Sequence, residues 1–295
     1  MPRTSRAQEP DKASPQQDCA LHVIATLDMQ TIPDGRVTIP VQFEGHDHRL
    51  MVDTGGYIST VTPLLATEEG YKTHVSHGTI LKGMGTSLLN SYVETTDFSI
   101  GHSHGRNFDF FVDEFNDLSL DGTLAPSILA AYDIDFDFAH DKINLIDPDH
   151  CPGRVTYWTK IPPAIVPLQI QNQTHIRIPV MVDGKEIMAT VDTGSATSYI
   201  TMRAATRFLG INDKSDGLKS RGIVTVNGMP GPVYNYPFQA LTFGNVTVNR
   251  PHVEIVSDPV WSEDDLLLGI GILRQLHFYI AYREKKLYIT PAQAN

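Results

Sequence analysis

Cysteine is almost missing from this chain, which has only Cys19 and Cys151 among 295 residues. One staple is therefore the most that cysteine can supply. Long apolar runs are missing too. No stretch approaches the roughly 18 consecutive apolar residues that a spanning helix requires, so no membrane span is expected. Basic charge is also scarce, with 23 Lys and Arg against 34 Asp and Glu and a formal net charge of -11. Neutralising a phosphate backbone needs a basic face, and its lack argues against a nucleic-acid partner. Neither a phosphate loop nor a dinucleotide fingerprint occurs, so no nucleotide cofactor is implied.

Residues 1–18 are polar and rich in Pro and Gln, with no apolar core of a targeting segment. They read as a disordered leader or as the stub of a removed one. Cys19 and Cys151 then stand at the two ends of the first structural unit. A disulfide closing that unit would fit an oxidising compartment, and two buried thiols is the other reading. Of the twelve histidines, the pairs His46 with His48 and His102 with His104 have the spacing that points two rings to one side of a strand. Both pairs sit beside glycines at turns and read as solvated turn residues, so no metal is expected. Ser76-His77 and Ser103-His104 lack the strand-turn-helix setting of a serine nucleophile.

What the chain does contain is a repeat. Residues 39–55, IPVQFEGHDHRLMVDTG, align without a gap to residues 178–194, IPVMVDGKEIMATVDTG, at a constant offset of 139. Similarity returns near the ends of the units at an offset of 144, and loop drift within a duplicated fold accounts for the difference. Apolar and polar residues alternate through 37–44 and 176–182, so each is a half-buried strand that turns at Gly45 or Gly184. Short helices are expected after Thr62-Pro63 and over 202–210, the latter stopping at Gly210. The remainder is short alternating runs. The expected fold is mostly β, with a leader at 1–18, a first lobe at 19–148, a linker at 149–173 and a second lobe at 174–295.

Each repeat carries one Asp-Thr-Gly, namely Asp53-Thr54-Gly55 and Asp192-Thr193-Gly194. Both follow apolar strand residues, which carry the carboxylates toward the lobe interior. Two carboxylates too close to ionise together can activate a water, one as base and one holding a proton. The threonines can hydrogen-bond across the junction and the glycines allow close approach. One such tripeptide is weak evidence, whereas two in one register of a repeat are strong.

These motifs resemble the retropepsin-type aspartic peptidases, in particular bacterial aspartyl-protease-like proteins, over about 22–148 and 174–291. The resemblance implies a bilobal acid-protease fold of two tandem retropepsin-like β-barrel lobes, fused in one chain as in the pepsins. It implies an aspartic endopeptidase with catalytic Asp53 and Asp192, supported by Thr54, Gly55, Thr193, Gly194 and Ser195, with no cofactor. The partner would be a peptide or protein substrate, the chain a monomer with intramolecular lobe pairing, and the location periplasmic or secreted, otherwise cytoplasmic. Flap hairpins are implied at Gly83-Met84-Gly85 or Asn227-Gly228. The second lobe keeps the family's apolar-Gly element at 266–273. The first has Gly56 where Ser or Ala is usual and Leu124-Ala125-Pro126 in place of that element. Ser195 can donate to Asp192 where Gly56 offers Asp53 nothing, so Asp192 is expected to ionise more readily. The alternatives are a silent peptide-binding module, a small-molecule enzyme on the same fold, and a site shared between two chains.

Overall fold

The computed structural model describes residues 19–76, 81–82, 88–114, 120–171, 175–226, 229–257 and 265–292. In both halves the same local chemistry builds the same core. Ile176, Ile178, Val180 and Val182 are buried on one face of the strand His175–Val182, and Ile39, Val41 and Phe43 do the same in Val37–Phe43. Each strand reverses through a two-residue turn with both residues at positive φ, Glu44-Gly45 (50° and 86°) and Asp183-Gly184 (45° and 79°). Such turns match the twist of the strands they join. The carboxylates of Glu44 and Asp183 then accept backbone N–H groups of the neighbouring segment, Thr96 in the first half and Gln239 and Ala240 in the second.

The returning strands, His46–Val52 and Lys185–Val191, end one residue before each aspartate. Each is flanked on its other side by a parallel three-residue strand, Gly122–Leu124 in the first half and Leu266–Leu268 in the second. Those short strands pair antiparallel with Thr60–Val61 and Ser198–Thr201. The aspartate loop is thereby held between strands on both sides, and each half completes a ten-stranded sheet.

Four short helices occur among the described residues: α1 (Pro63–Glu68), α2 (Pro126–Leu129), α3 (Met202–Leu209) and α4 (Ile270–Leu273). Thr62 and Thr201 cap α1 and α3, each accepting the N–H three residues on. Pro63 opens α1 and Gly210, at φ 71°, closes α3; both are the residue types their positions require.

The two halves are not joined by a passive linker. A six-stranded sheet takes Val23–Asp28, Lys142–Ile146 and Asp133–Asp137 from the first half and Leu276–Ala281 and Lys286–Pro291 from the second. One edge strand, Ala164–Pro167, comes from within 149–173, which also supplies the strand Gln169–Gln171. At the seam Phe136 faces Phe278, their rings stacked 4.5 Å apart. Asp133 and Asp135 are fully buried there. His150 and Tyr279 bond to Asp133 at 2.8 and 3.1 Å, while His277 (2.6 Å) and Tyr157 bond to Asp135. Buried charges persist only when paired and hydrogen-bonded in this way. Cys19 and Cys151 are disulfide-bonded with Cα atoms 4.8 Å apart, beside this sheet. The molecule is a mostly β, bilobal, acid-protease-like fold.

Candidate active site

Both Asp-Thr-Gly turns leave their lobes at the same place and interlock. The Thr54 N–H donates to Thr193 Oγ1 and the Thr193 N–H to Thr54 Oγ1, each at 3.1 Å. The hydroxyls donate onward across the junction, Thr54 to the Val191 carbonyl at 2.8 Å and Thr193 to the Val52 carbonyl at 2.7 Å. Both threonines are 0% exposed. The four bonds join a strand end of one lobe to the loop of the other and fix the separation of the aspartates.

Glycine sets how close they come. A Cβ at Gly55 would lie 2.3 Å from Asp192 Cγ, and one at Gly194 would lie 2.4 Å from Asp53 Oδ1. Each carboxylate thus rests against the glycine of the opposite triplet. The Gly55 N–H also donates to Asp53 Oδ1 (3.0 Å) and the Gly194 N–H to Asp192 Oδ1 (2.9 Å). The two half-buried carboxyl groups stand close enough to couple their titrations, and two carboxyls that close cannot both ionise, so one of them holds a proton.

Which one holds it follows from the surroundings. Burial pushes Asp53 upward, and its bond from Asp192, the N–H groups of Gly56 and Gly55 and the charge of His175 oppose the rise. Burial and the charge of Asp53 push Asp192 well above the usual carboxylate range. Asp53 is therefore the ionised partner, the reverse of the sequence expectation. The reason lies at Ser195, whose hydroxyl donates to the Thr197 carbonyl at 2.9 Å rather than to Asp192.

His175, at the start of its strand, packs edge-on against Tyr57 with ring centroids 5.0 Å apart. This contact brings a second-lobe cation to the loop of the first-lobe aspartate. At the 139-residue offset the counterparts are Arg36, held by Asp34 at 2.6 Å, and Ala196, so this ring pair is not repeated at that offset. Neither His175 nor Tyr57 belongs to a motif, and sequence reading missed both.

The departures of the first lobe compensate one another. Ser59 Oγ accepts the Ala125 N–H at 3.0 Å, as Ser198 Oγ accepts the Gly269 N–H at 2.9 Å. A Cβ at Gly269 would lie 2.3 Å from the Thr197 carbonyl oxygen and 2.7 Å from that of Ser195. In the first lobe the extra carbon sits on Ala125 and is missing at Gly56, where a Cβ would lie 3.2 Å from that of Ala125 and 2.7 Å from Asp53 Oδ2. The Ser/Gly pair of one lobe is a Gly/Ala pair in the other.

A family model described as aspartyl protease matches residues 178–272, the part of the second lobe that carries Asp192. Among 408 matching chains of solved structures, basic 7S globulin from soybean covers 92% of this chain and 98% of its own at a TM-score of 0.53 and 11% identity. At that identity the likeness concerns the fold alone. No curated protein matches the chain.

The chain is aspartic-protease-like. The flap candidates of this aspartic-protease-like chain, Gly83, Met84, Gly85, Asn227 and Gly228, lie outside the described residues. The strands leading to them pair antiparallel, Leu81–Lys82 with Leu88–Leu89 and Lys219–Val226 with Met229–Asn235. His46 is solvent-exposed as expected whereas the His48 side chain is largely buried, and both bond to Glu69, at 2.8 and 2.9 Å. Among the described residues no cluster of His, Cys, Asp and Glu is arranged to hold a metal ion.

Proposed function

We propose that the chain is an aspartic endopeptidase that hydrolyses peptide bonds with a water activated by Asp53 and Asp192. The seating of each carboxyl against the glycine of the opposite triplet, at the junction of two interlocked turns, carries the reading. One negative charge and one proton shared over two carboxyls is what activation of a water requires, and the paired aspartates of aspartic proteases share a proton in this way. In this reading Asp53 is the base that takes a proton from the water as it attacks the carbonyl carbon. Asp192 donates its hydrogen bond to the carbonyl oxygen and stabilises the charge that develops there. The proton on Asp53 then passes to the leaving amine. No cofactor enters these steps.

The site is complete within one chain, which supports a monomer. The Cys19–Cys151 disulfide supports a periplasmic or secreted location, since such bonds persist in oxidising compartments. The test is incubation with a mixed-sequence peptide library between acidic and neutral pH, read by mass spectrometry. New termini that vanish in Asp53→Asn support the proposal. Peptides bound but never cut would instead identify a silent peptide-binding module.

A further inference from the structure

The second lobe contains a cavity that the aspartate pair does not use. Its volume is ≈ 710 Å³, inside the range of roughly 300–1,000 Å³ common to ligand sites. It lies at the root of the long hairpin, where Lys219 faces Asn235 across the closing pair. Tyr236, Pro237 and Phe238 form one wall, with the Tyr236 and Phe238 rings edge to face at 5.0 Å. Lys219, Arg250 and His252 line it, and among the described residues no acidic side chain does.

In a chain of net charge -11, two exposed cations and a histidine, with no acidic neighbour in the described lining, reverse the local field. None of the three pairs with a carboxylate among the described residues. A long polyanion such as nucleic acid would meet repulsion from the rest of the surface. A short acidic segment would not, and an aromatic side chain within it could lie on the Tyr236–Pro237 wall. The floor residue Val253 pairs with Ser198, whose hydroxyl holds the Gly269 N–H, so the cavity is one strand from the loop of Asp192.

We propose that this cavity is a docking site for an acidic peptide segment containing an aromatic residue, separate from the aspartate pair. The test is direct binding, so it succeeds or fails whether or not the chain cleaves peptides. Fluorescein-labelled Glu-Glu-Phe-Glu-Glu is titrated with the full chain carrying Asp192→Asn, which protects the probe, and followed by anisotropy. Saturable binding that weakens with salt is expected, with none for the Lys-Lys-Phe-Lys-Lys counterpart. Lys219→Gln should weaken it about threefold, and Lys219→Glu with Arg250→Asn about tenfold or more, as for partly exposed charge pairs. Asn suits position 250, where φ is 49°. Unchanged affinity in the Lys219→Gln protein, equal binding of the lysine peptide, or full displacement by millimolar inorganic phosphate would each overturn the proposal.

Discussion

Replacing Thr54 by valine removes one hydroxyl and keeps the shape of the side chain. The hydroxyl donates to the Val191 carbonyl and accepts the Thr193 N–H, and Thr54 is fully buried. No water can replace it, so the change strands one buried acceptor and one buried donor. Each such group costs about 1–3 kcal/mol, which sums to about 2–6 kcal/mol for Thr54→Val. In a chain of this size that lowers the melting temperature by roughly 3–10 °C. Thr54→Ser keeps both bonds and loses one methyl, about 1 kcal/mol. Activity separates the two further, because the same bonds set the spacing of the carboxylates. A displacement near 1 Å can cost about 100-fold in turnover. Thermal unfolding and peptide hydrolysis are measured on both variants side by side. If valine proves as stable and as active as serine, the interlock does not hold the junction.

Other consequences concern charge and covalent structure. His175→Gln removes a cation that favours ionised Asp53, so the acidic limb of the pH-rate profile should move to higher pH while the alkaline limb stays; an unmoved acidic limb contradicts the polarity assigned to the pair. Asp192 is held above its ordinary range, so the folded state keeps a proton that the unfolded chain releases, and stability falls as pH rises past the unfolded value. Asp192→Asn should therefore stabilise the protein at neutral pH, by about 0.5–2 kcal/mol, with the gain vanishing below the ordinary carboxylate range; urea titrations at two pH values read this. The disulfide spans 132 residues, and loop entropy assigns a bridge of that span about 4–5 kcal/mol. Cys19→Ser with Cys151→Ser should lower stability by a large part of that amount, and equal urea midpoints would refute it.

The parts of this molecule most legible in sequence are those encoded locally and twice. The 139-residue offset placed Asp53 opposite Asp192, and the Glu44-Gly45 and Asp183-Gly184 turns and the Thr62 and Thr201 caps follow from residue types at the positions that need them. The shared sheet was hidden because its pairs, such as Phe136 with Phe278, are far apart in sequence and because Ala164–Pro167 sits in a proline-rich stretch that reads as linker. Polarity was misread because sequence names a hydroxyl without its direction, and Ser195 turns to Thr197. His175 was missed since its contact with Tyr57 exists only across the junction. Pro126 and Ala125 looked like the loss of a motif, and only the spacing to Gly56 shows the compensating exchange.

The central claim is that Asp53 and Asp192 act as one unit, and hydrolysis by the single and double asparagine variants tests it most directly. The account predicts that Asp53→Asn and Asp192→Asn each abolish peptide cleavage and that the double variant loses no more than either, as for residues acting together. Cleavage retained by either single variant, or losses that multiply in the double variant, would contradict it.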